Sequence, residues 1–187
     1  MAKIIAYNFI TLNGYYKGLN EDISWHRHGE EESKYSEDML SRGNILVFGR
    51  KTYEHMASFW PMPFARDMFP VVADGMNKAQ KFVLTSNPLL DATWNNTKVI
   101  SGDVVEKMKG LKQTSEKDMA VLGSGTIISL LSDSRLIDEY QIMVDPVVIP
   151  SGTSVFPGIR NNLNLQLTGT RTFKSGVVLL NYSLIHD

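Results

Sequence analysis

Two short junctions in the chain combine glycine with side chains that bind phosphate. Residues 49–52 are Gly-Arg-Lys-Thr and residues 123–126 are Gly-Ser-Gly-Thr, and each follows a short apolar run. Where a strand passes through glycine into a helix, the first N–H groups of the helix lack backbone partners and the helix dipole favours an anion. Glycine also allows close approach of the backbone, while Arg50, Lys51 and Thr52 add two cations and a hydroxyl. We therefore predict two anion sites, which suit the two ends of a dinucleotide.

Each junction also has a purely structural explanation. A glycine after a strand more often provides turn geometry than a ligand contact. Neither junction completes the six-residue dinucleotide-binding pattern or the P-loop pattern. The prediction of a binding site therefore rests on the two junctions together.

The composition limits the classes of protein to which the chain can belong. Its 187 residues correspond to about one domain, so we expect a single domain over residues 1–187. Hydrophobic residues make up 43% and charged residues 21%, which is typical of a globular protein with a buried core. The formal net charge of −1 excludes an overall basic field, and we predict no nucleic-acid partner.

Cysteine is absent from the sequence. This excludes disulfides, thiolate nucleophiles and cysteine-ligated zinc, and it fits a reducing compartment. The apolar start of the chain, residues 1–10, is too short for a signal sequence or a membrane span. We therefore expect a cytoplasmic protein without a membrane partner. His26 and His28 lie in a polar segment without other clustered histidines, so we expect no metal site.

The periodicity of apolar residues predicts strands that alternate with helices. We expect helices within residues 20–42, 50–59, 103–111 and 126–131, and a long loop over about residues 60–79. We expect strands over residues 3–10, 44–48, 81–86, 98–100 and 119–122, then strand-like segments over 137–149, 163–173 and 177–185. Residues 174–176 (Lys-Ser-Gly) join the last two segments as a hairpin turn.

Alternating strands and helices that end in a hairpin indicate an α/β fold. We predict a three-layer α/β/α arrangement with a mostly parallel central sheet and antiparallel C-terminal edge strands. In such sheets, ligands bind at the carboxyl ends of the strands, where both glycine junctions would lie.

The order of these motifs resembles the dihydrofolate reductase-like superfamily, and more narrowly the C-terminal reductase domain of bifunctional riboflavin-biosynthesis deaminase-reductases. The resemblance covers nearly the whole chain. It includes Gly-Arg-Lys-Thr-Tyr-Glu at residues 49–54, the Gly-Ser-Gly turn at 123–125, the opening segment 11–15 and residues 146–152. It implies the three-layer fold predicted above, in a stand-alone relative of that reductase domain.

The resemblance also implies that NADPH binds across the strand ends. Hydride would pass to a small heteroaromatic, pterin-like or pyrimidine substrate, with the cofactor carrying the chemistry and the protein supplying position. Arg50 and Lys51 would lie near the pyrophosphate and the 2′-phosphate. The implied cofactor-binding residues are Thr11, Asn13, Gly14, Gly49, Arg50, Lys51, Thr52, Leu84, Thr85, Ser86, Gly123, Ser124, Gly125, Thr126 and Ile127.

The proton donor implied by the resemblance is an acid on the first helix. Dihydrofolate reductases carry a Trp-x-x-Pro-x-Asp pattern there, whereas residues 25–30 are Trp-His-Arg-His-Gly-Glu, without the proline. Glu31 and Glu32 precede Tyr35 by four and three residues, so either could share the helix face that points at the pocket. We predict these two glutamates as the catalytic residues. The alternative is a solvated acidic turn at the start of the helix.

The aromatic segment 59–64 (Phe-Trp-Pro-Met-Pro-Phe) has two interpretations, which the sequence leaves open. It could stack on a flat substrate, or it could pack a loop onto the core.

The leading functional prediction is a NADPH-dependent reductase of a small molecule. By resemblance to the riboflavin branch, it would form a homodimer through its C-terminal strands. The alternative is a non-catalytic ligand-binding or regulatory protein on the same fold.

Overall fold

The structure is a computed structural model that describes residues 1–185. The strands are β1 (Ile4–Thr11), β2 (Tyr15–Lys17), β3 (Ile45–Gly49), β4 (Lys81–Leu84), β5 (Thr97–Ile100), β6 (Met119–Val121), β7 (Glu139–Asp145), β8 (Thr153–Ser154), β9 (Leu165–Thr172) and β10 (Val178–Leu184). The α-helices are α1 (Glu30–Ser41), α2 (Arg50–Phe59), α3 (Pro63–Met68), α4 (Pro70–Lys78), α5 (Val104–Thr114) and α6 (Gly125–Asp133). A single turn of 3-10 helix covers Leu19–Glu21. Within the described residues, no helix is long and apolar enough to cross a membrane.

The sheet contains eight strands in the order β5-β4-β3-β6-β1-β7-β10-β9. The six strands from β5 to β7 pair in parallel, whereas β10 is antiparallel to β7 and β9 is antiparallel to β10. The two short strands β2 and β8 pair separately. The predicted α/β fold, with a mostly parallel sheet and antiparallel C-terminal edge strands, is confirmed.

The apolar run of β3 is explained by helices on both faces of the sheet. Ile45 and Val47 belong to a core that includes Met108 of α5 and residues of α6. Leu46 and Phe48 belong to a second core, which they share with residues of α1, α2 and α4. Because side chains alternate across a strand, a strand covered on both faces has no polar side. The three layers are therefore α5 and α6, the sheet, and α1, α2 and α4.

The long loop predicted over residues 60–79 is wrong, because this segment contains two helices. Pro63 and Pro70 occupy the first position of α3 and α4, respectively. Proline suits that position, since its φ is already helical and its missing N–H would have no partner there. Val72 and Met76 of α4 are buried in the core beside α1. Pro63 and Pro70 therefore begin helices within the segment for which the sequence predicted a loop.

The strand predicted over residues 137–149 is shorter than expected. It covers Glu139–Asp145 and ends where Pro146, which has no N–H to donate to a sheet, follows. The hairpin predicted at residues 174–176 is confirmed, since β9 and β10 flank it and Gly176 has a φ of +90°.

Candidate functional site

The central strand β6 ends before its two neighbours in the sheet. Its last residue, Val121, pairs with Ala6 of β1 and Val47 of β3, whereas β1 continues to Thr11. A notch therefore opens between β1 and β3 at the carboxyl ends of the parallel strands. A cavity of about 570 Å³ lies there, a volume within the usual range for ligand sites.

The two glycine junctions meet at this cavity. The backbone N–H of Gly49 donates to the carbonyl of Gly123 at 2.8 Å. A Cβ atom at position 49 would lie 2.9 Å from both Ser124 Oγ and Ile127 Cγ1, so only glycine allows this approach. Gly123 has a φ of +110°, and its peptide bond to Ser124 is cis. The two turns thus form one backbone unit.

Two helix N-termini face the cavity. Gly49 is the N-cap of α2 and Ser124 is the N-cap of α6, and neither first turn receives a side-chain capping bond. In the first turn of α6, the Ile127 N–H already donates to the carbonyl of Ser124 at 3.0 Å. The N–H groups that begin each helix have no carbonyl partner one turn earlier in the helix and can bind an anion. Six of the predicted cofactor-binding residues line the cavity: Arg50, Lys51, Thr52, Gly123, Ser124 and Thr126.

The cations at the cavity are paired with acids. Arg50 Nη1 lies 2.8 Å from Glu54 Oε1, one helical turn along α2. Lys51 Nζ lies 3.7 Å from Glu21 Oε1, and Glu21 also accepts a hydrogen bond from Lys17. The hydrogen bond from Lys17 lowers the pKa of Glu21 below its usual value. Partial burial opposes this shift, and the positive charges of Lys17 and Lys51 add to it. Glu21 is therefore negatively charged and pairs with Lys17 and Lys51, two cations that would also attract a phosphate.

A family model for the RibD C-terminal domain matches residues 2–179. The chain belongs to this family. YyaP, an uncharacterized protein of Bacillus subtilis (strain 168), is 25% identical over 180 residues, which cover 96% of this chain and 94% of YyaP. The family assignment agrees with the resemblance that the sequence motifs showed.

Solved structures share the fold of this RibD C-terminal domain. A Shewanella sp. PV-4 protein, provisionally described as a riboflavin biosynthesis protein, has a TM-score of 0.79 at 18% identity, with both chains covered over 100%. Dihydrofolate reductase from Enterococcus faecalis, complexed with NADP(H) and RAB-propyl, has a TM-score of 0.68 at 17% identity, with 98% and 97% of the two chains covered. These likenesses show a reductase-like, dihydrofolate reductase-like fold.

Three of the predicted cofactor residues in this RibD C-terminal domain form a turn beside the cavity. The Thr11 hydroxyl donates to Asn13 Oδ1 at 2.8 Å, and Asn13 Nδ2 donates to the carbonyl of Ile149 at 2.8 Å. Gly14 has a φ of +86°, as the turn requires. None of these three residues is among those that line the cavity. In this structure they connect the end of β1 to the loop after β7.

Five more predicted cofactor residues also lie outside the cavity lining. Leu84 is buried in the core, Ser86 is exposed, and Thr85 accepts a hydrogen bond from Asn87 N–H. In α6, Gly125 packs against the segment after β8, since a Cβ there would lie 2.9 Å from the carbonyl of Val155, and Ile127 packs against the hydrophobic core.

The two predicted catalytic acids face the β9–β10 hairpin and not the cavity. Glu31 Oε2 accepts the backbone N–H of Lys174 at 2.9 Å. Glu32 is 1% exposed and accepts hydrogen bonds from Ser175 Oγ and from the Gly29 backbone N–H. Each carboxylate thus has a structural partner, and neither is among the residues that line the larger cavity or the smaller cavity described below. The structure therefore places both carboxylates in contact with the hairpin, and their role as proton donors stays a prediction.

A second, smaller cavity of about 120 Å³ adjoins the first beneath α1, α2 and α4. Trp60 is the member of the aromatic segment 59–64 that lines it, and its indole N–H lies 3.1 Å from Met56 Sδ. Phe64 is 61% exposed and does not contribute. The residues common to both cavities are Asn8, Phe9, Met56 and Leu122.

The segment that leads into α1 also borders the site, although its sequence predicted neither a binding role nor a catalytic one for His26. His26 Nδ1 lies 2.9 Å from Asp145 Oδ2, and the Arg27 backbone N–H donates to Asp145 Oδ1 at 2.7 Å. The His26 ring stacks on Phe9 with centroids 3.9 Å apart. The fully buried Asp145 therefore holds His26 over Phe9, beside both cavities.

His28 is one of the residues that line the smaller cavity. Burial, followed by the proximity of His26, lowers the pKa of its imidazole, and the charge of Glu32 partly opposes this shift. Among residues 1–185, no cluster of three or more potential ligands is placed to hold a metal ion.

Proposed function

We propose that this RibD C-terminal domain is a cytoplasmic, NADPH-dependent reductase that transfers hydride to a small heteroaromatic, pterin-like or pyrimidine substrate. The observation that carries the proposal is the contact between Gly49 and Gly123, which brings two helix N-termini to one cavity. The family assignment and the reductase-like fold support it.

The lining of the larger cavity fits the phosphate groups of such a cofactor. Backbone N–H groups of α2 and α6 would bind the pyrophosphate, and the Thr52 hydroxyl would add a donor. Arg50 and Lys51 would bind the 2′-phosphate, the group that separates NADPH from NADH. To do so, Arg50 and Lys51 would exchange the carboxylates of Glu54 and Glu21 for phosphate oxygens.

The smaller cavity fits the ring that accepts the hydride. It shares Asn8, Phe9, Met56 and Leu122 with the larger cavity, so a ring in one would touch a ring in the other at this boundary. When bound, NADPH supplies the hydride, and solvent supplies the proton that completes the two-electron reduction. The chain contributes position and the exclusion of water, through Trp60 and the apolar side chains around it.

A titration tests the proposal directly. NADPH and NADH are added to the purified full chain while tryptophan fluorescence is recorded. Absorbance at about 340 nm is then followed with dihydrofolate, a riboflavin-precursor pyrimidine and flavins. We expect saturable NADPH binding, tighter than NADH binding, and NADPH oxidation with at least one acceptor. Failure to bind NADPH would overturn the proposal.

A second candidate is a non-catalytic ligand-binding or regulatory protein. The observation that favours it is the use of Glu31 and Glu32 in hairpin contacts, which leaves the smaller cavity without a carboxylate. NADPH binding without oxidation by any of the acceptors would favour this second candidate over the reductase.

We also propose that the chain forms a homodimer through its C-terminal strands. β9 is an edge strand of the sheet, and Leu167 on it is 47% exposed. Sedimentation equilibrium is expected to give twice the mass of the chain, and Leu167→Lys is expected to shift the distribution toward monomer. A monomeric wild-type chain would contradict this proposal without affecting the cofactor site.

A further inference from the structure

Asn8 carries a buried hydrogen-bond donor without a partner. The residue is 6% exposed, and its Oδ1 accepts the backbone N–H of Phe9 at 2.8 Å. No residue that the structure describes accepts a hydrogen bond from its Nδ2. Leaving a buried amide donor unpaired costs about 1–3 kcal/mol, so native proteins rarely retain one without a use.

The position of Asn8 in the sheet explains why its amide lies beside open space. β6 ends opposite Ala6, two residues before Asn8, so no strand continues on that side of β1. Asn8 is instead one of the residues that line both cavities. A ligand at the boundary between the cavities is therefore placed to supply the acceptor that Nδ2 lacks.

The smaller cavity has the chemistry of a site for an uncharged ring. Of the residues that the structure describes, those that line it include no Asp, Glu, Lys or Arg. His28 lines the cavity, and burial lowers the pKa of its imidazole, which favours the neutral form. A charged group placed here would lose water without gaining an ionic partner, which is strongly unfavourable. Its volume of about 120 Å³ is near the ~150 Å³ of an apolar cavity that binds one benzene ring.

We infer that the boundary of the two cavities binds an uncharged, planar ring compound whose carbonyl oxygen accepts a hydrogen bond from Asn8 Nδ2. This inference names the substrate class of the proposed reductase and therefore rests on that proposal. Asn8 is a specificity-determining residue in this arrangement: its amide selects for a carbonyl on the ring. The apolar walls formed by Trp60 and Met56 select against a charge.

Binding of small naphthalene derivatives to the wild-type chain tests the substrate class. The probe is menadione, an uncharged two-ring quinone. It has no thiol to react with, because the chain contains no cysteine. The comparison compounds are 2-methylnaphthalene, which lacks the carbonyls, and 2-hydroxy-1,4-naphthoquinone, which is an anion at neutral pH. Equilibrium dialysis is expected to show menadione bound about fivefold to tenfold tighter than 2-methylnaphthalene, the effect of one neutral hydrogen bond. Menadione should also bind tighter than the 2-hydroxy-1,4-naphthoquinone anion, whose charge would lose water without gaining an ionic partner.

The variant Asn8→Asp tests the residue. A carboxylate at position 8 still offers an oxygen to Phe9 N–H, but it has no N–H to donate. We expect menadione to bind about fivefold to tenfold more weakly, while the affinity for 2-methylnaphthalene falls less. A purely structural role for Asn8 would weaken both ligands equally. If Asn8→Asp does not fold, Asn8→Ser and the wild-type comparison of the three ligands replace it.

The outcomes separate this inference from the proposed function. Equal affinity of the wild-type chain for menadione and 2-methylnaphthalene overturns the inference, as does undetectable binding of menadione, even when NADPH binds normally. Loss of the menadione preference in Asn8→Asp with unchanged NADPH affinity supports it. A chain that does not bind NADPH overturns the proposed reductase function, whatever the naphthalene derivatives do.

Discussion

Gly49 donates its backbone N–H to the carbonyl of Gly123 at 2.8 Å, and this bond joins the two phosphate-binding turns predicted from the sequence. The turns are 74 residues apart in the chain, and the parallel pairing of β3 with β6 brings them together. The functional and structural explanations of these glycines are therefore compatible. The absence of a side chain at Gly49 allows the turns to touch, and their contact aligns two helix N-termini on one cavity.

Replacing Gly49 with alanine is expected to damage both stability and NADPH binding. The new Cβ would meet Ser124 Oγ and Ile127 Cγ1 at 2.9 Å and the Ser124 backbone nitrogen at 3.2 Å. Forcing the turns apart should lower the free energy of unfolding by about 1–3 kcal/mol. Urea denaturation and the NADPH titration measure the two effects.

Gly110→Ala is the matched control for Gly49→Ala. Gly110 lies inside α5, and a Cβ there has no atom within 4 Å. Alanine should stabilise this helix by about 0.5–1 kcal/mol and leave NADPH affinity unchanged. If the two variants have equal stability, the close contact at Gly49 is not significant.

Arg50→Ala is expected to weaken NADPH binding by about tenfold while changing NADH binding little. The guanidinium lies at the N-terminus of α2 and lines the cavity, where it would bind the 2′-phosphate that distinguishes NADPH from NADH. Arg66→Ala removes an exposed arginine of α3 that pairs with Asp74, and it should change neither affinity. Equal losses for NADPH and NADH in Arg50→Ala would refute the assignment to the 2′-phosphate.

Glu21→Gln is expected to increase NADPH affinity about twofold to fivefold. Its carboxylate lies within 3.7 Å of Lys51 and also accepts from Lys17, so it competes with phosphate for both cations. The gain should diminish at high salt, since salt screens charges near the surface. Glu37→Gln, which removes an acid paired with Lys34 on α1, is the control. An unchanged or lower affinity in Glu21→Gln would show that no competition exists.

Local sequence signals predicted the elements with periodic apolar residues and clear boundaries. α2 begins and ends at the expected residues, Arg50 and Phe59, and Asp103 caps α5 through a 3.0 Å bond from Glu106 N–H. Proline has two opposite meanings, as a helix breaker and as a first helical residue, and the sequence therefore predicted a loop where α3 and α4 lie. The choice between these meanings depends on buried contacts such as that of Val72, which a single sequence does not display.

The placement of the site residues depended on contacts between distant parts of the chain. The spacing of Glu31 and Glu32 from Tyr35 showed which side chains share a helix face. It could not show that the hairpin at Lys174 and Ser175, 143 residues away, covers that face. Asn8 was not identified because a single asparagine in a strand becomes distinctive only when β6 ends beside it.

Acidification is expected to destabilise the chain in part through His28. Burial and His26 lower the pKa of His28 in the folded state below its ordinary value of 6.5. As pH falls through 6.5, the unfolded chain therefore takes up a proton that the folded chain resists, and the free energy of unfolding decreases. The contribution of His28 to the free energy of unfolding is fully present above pH 6.5 and is lost as the pH falls toward the pKa of His28 in the folded chain.

Urea denaturation of the wild type and His28→Gln between about pH 8 and about pH 5 measures this contribution. The wild type should lose more stability than the variant on the acid side of 6.5. Parallel pH profiles would mean that His28 titrates normally in the folded chain.

Glu32→Ala is expected to reduce stability without removing cofactor binding. Its buried carboxylate accepts from Ser175 Oγ and from Gly29 N–H, so it joins the start of α1 to the β9–β10 hairpin. Truncation leaves these donors unpaired and should lower the free energy of unfolding by about 1–3 kcal/mol. Glu31→Gln keeps a carbonyl oxygen for Lys174 N–H and should change stability by less than about 0.5 kcal/mol.

Two measurements on both glutamate variants separate a structural role from a catalytic one. They are the NADPH titration and the pH profile of kcat with any acceptor that is reduced. If Glu31 and Glu32 only join α1 to the hairpin, both variants bind NADPH as the wild type does and their kcat follows the wild-type pH dependence. A proton donor would behave differently: its removal lowers kcat by about a hundredfold or more and eliminates one limb of the profile, at normal NADPH affinity. Such a loss in a folded Glu32→Ala chain would mean that, in the wild type, the β9–β10 hairpin moves during the reaction and exposes the Glu32 carboxylate to the smaller cavity.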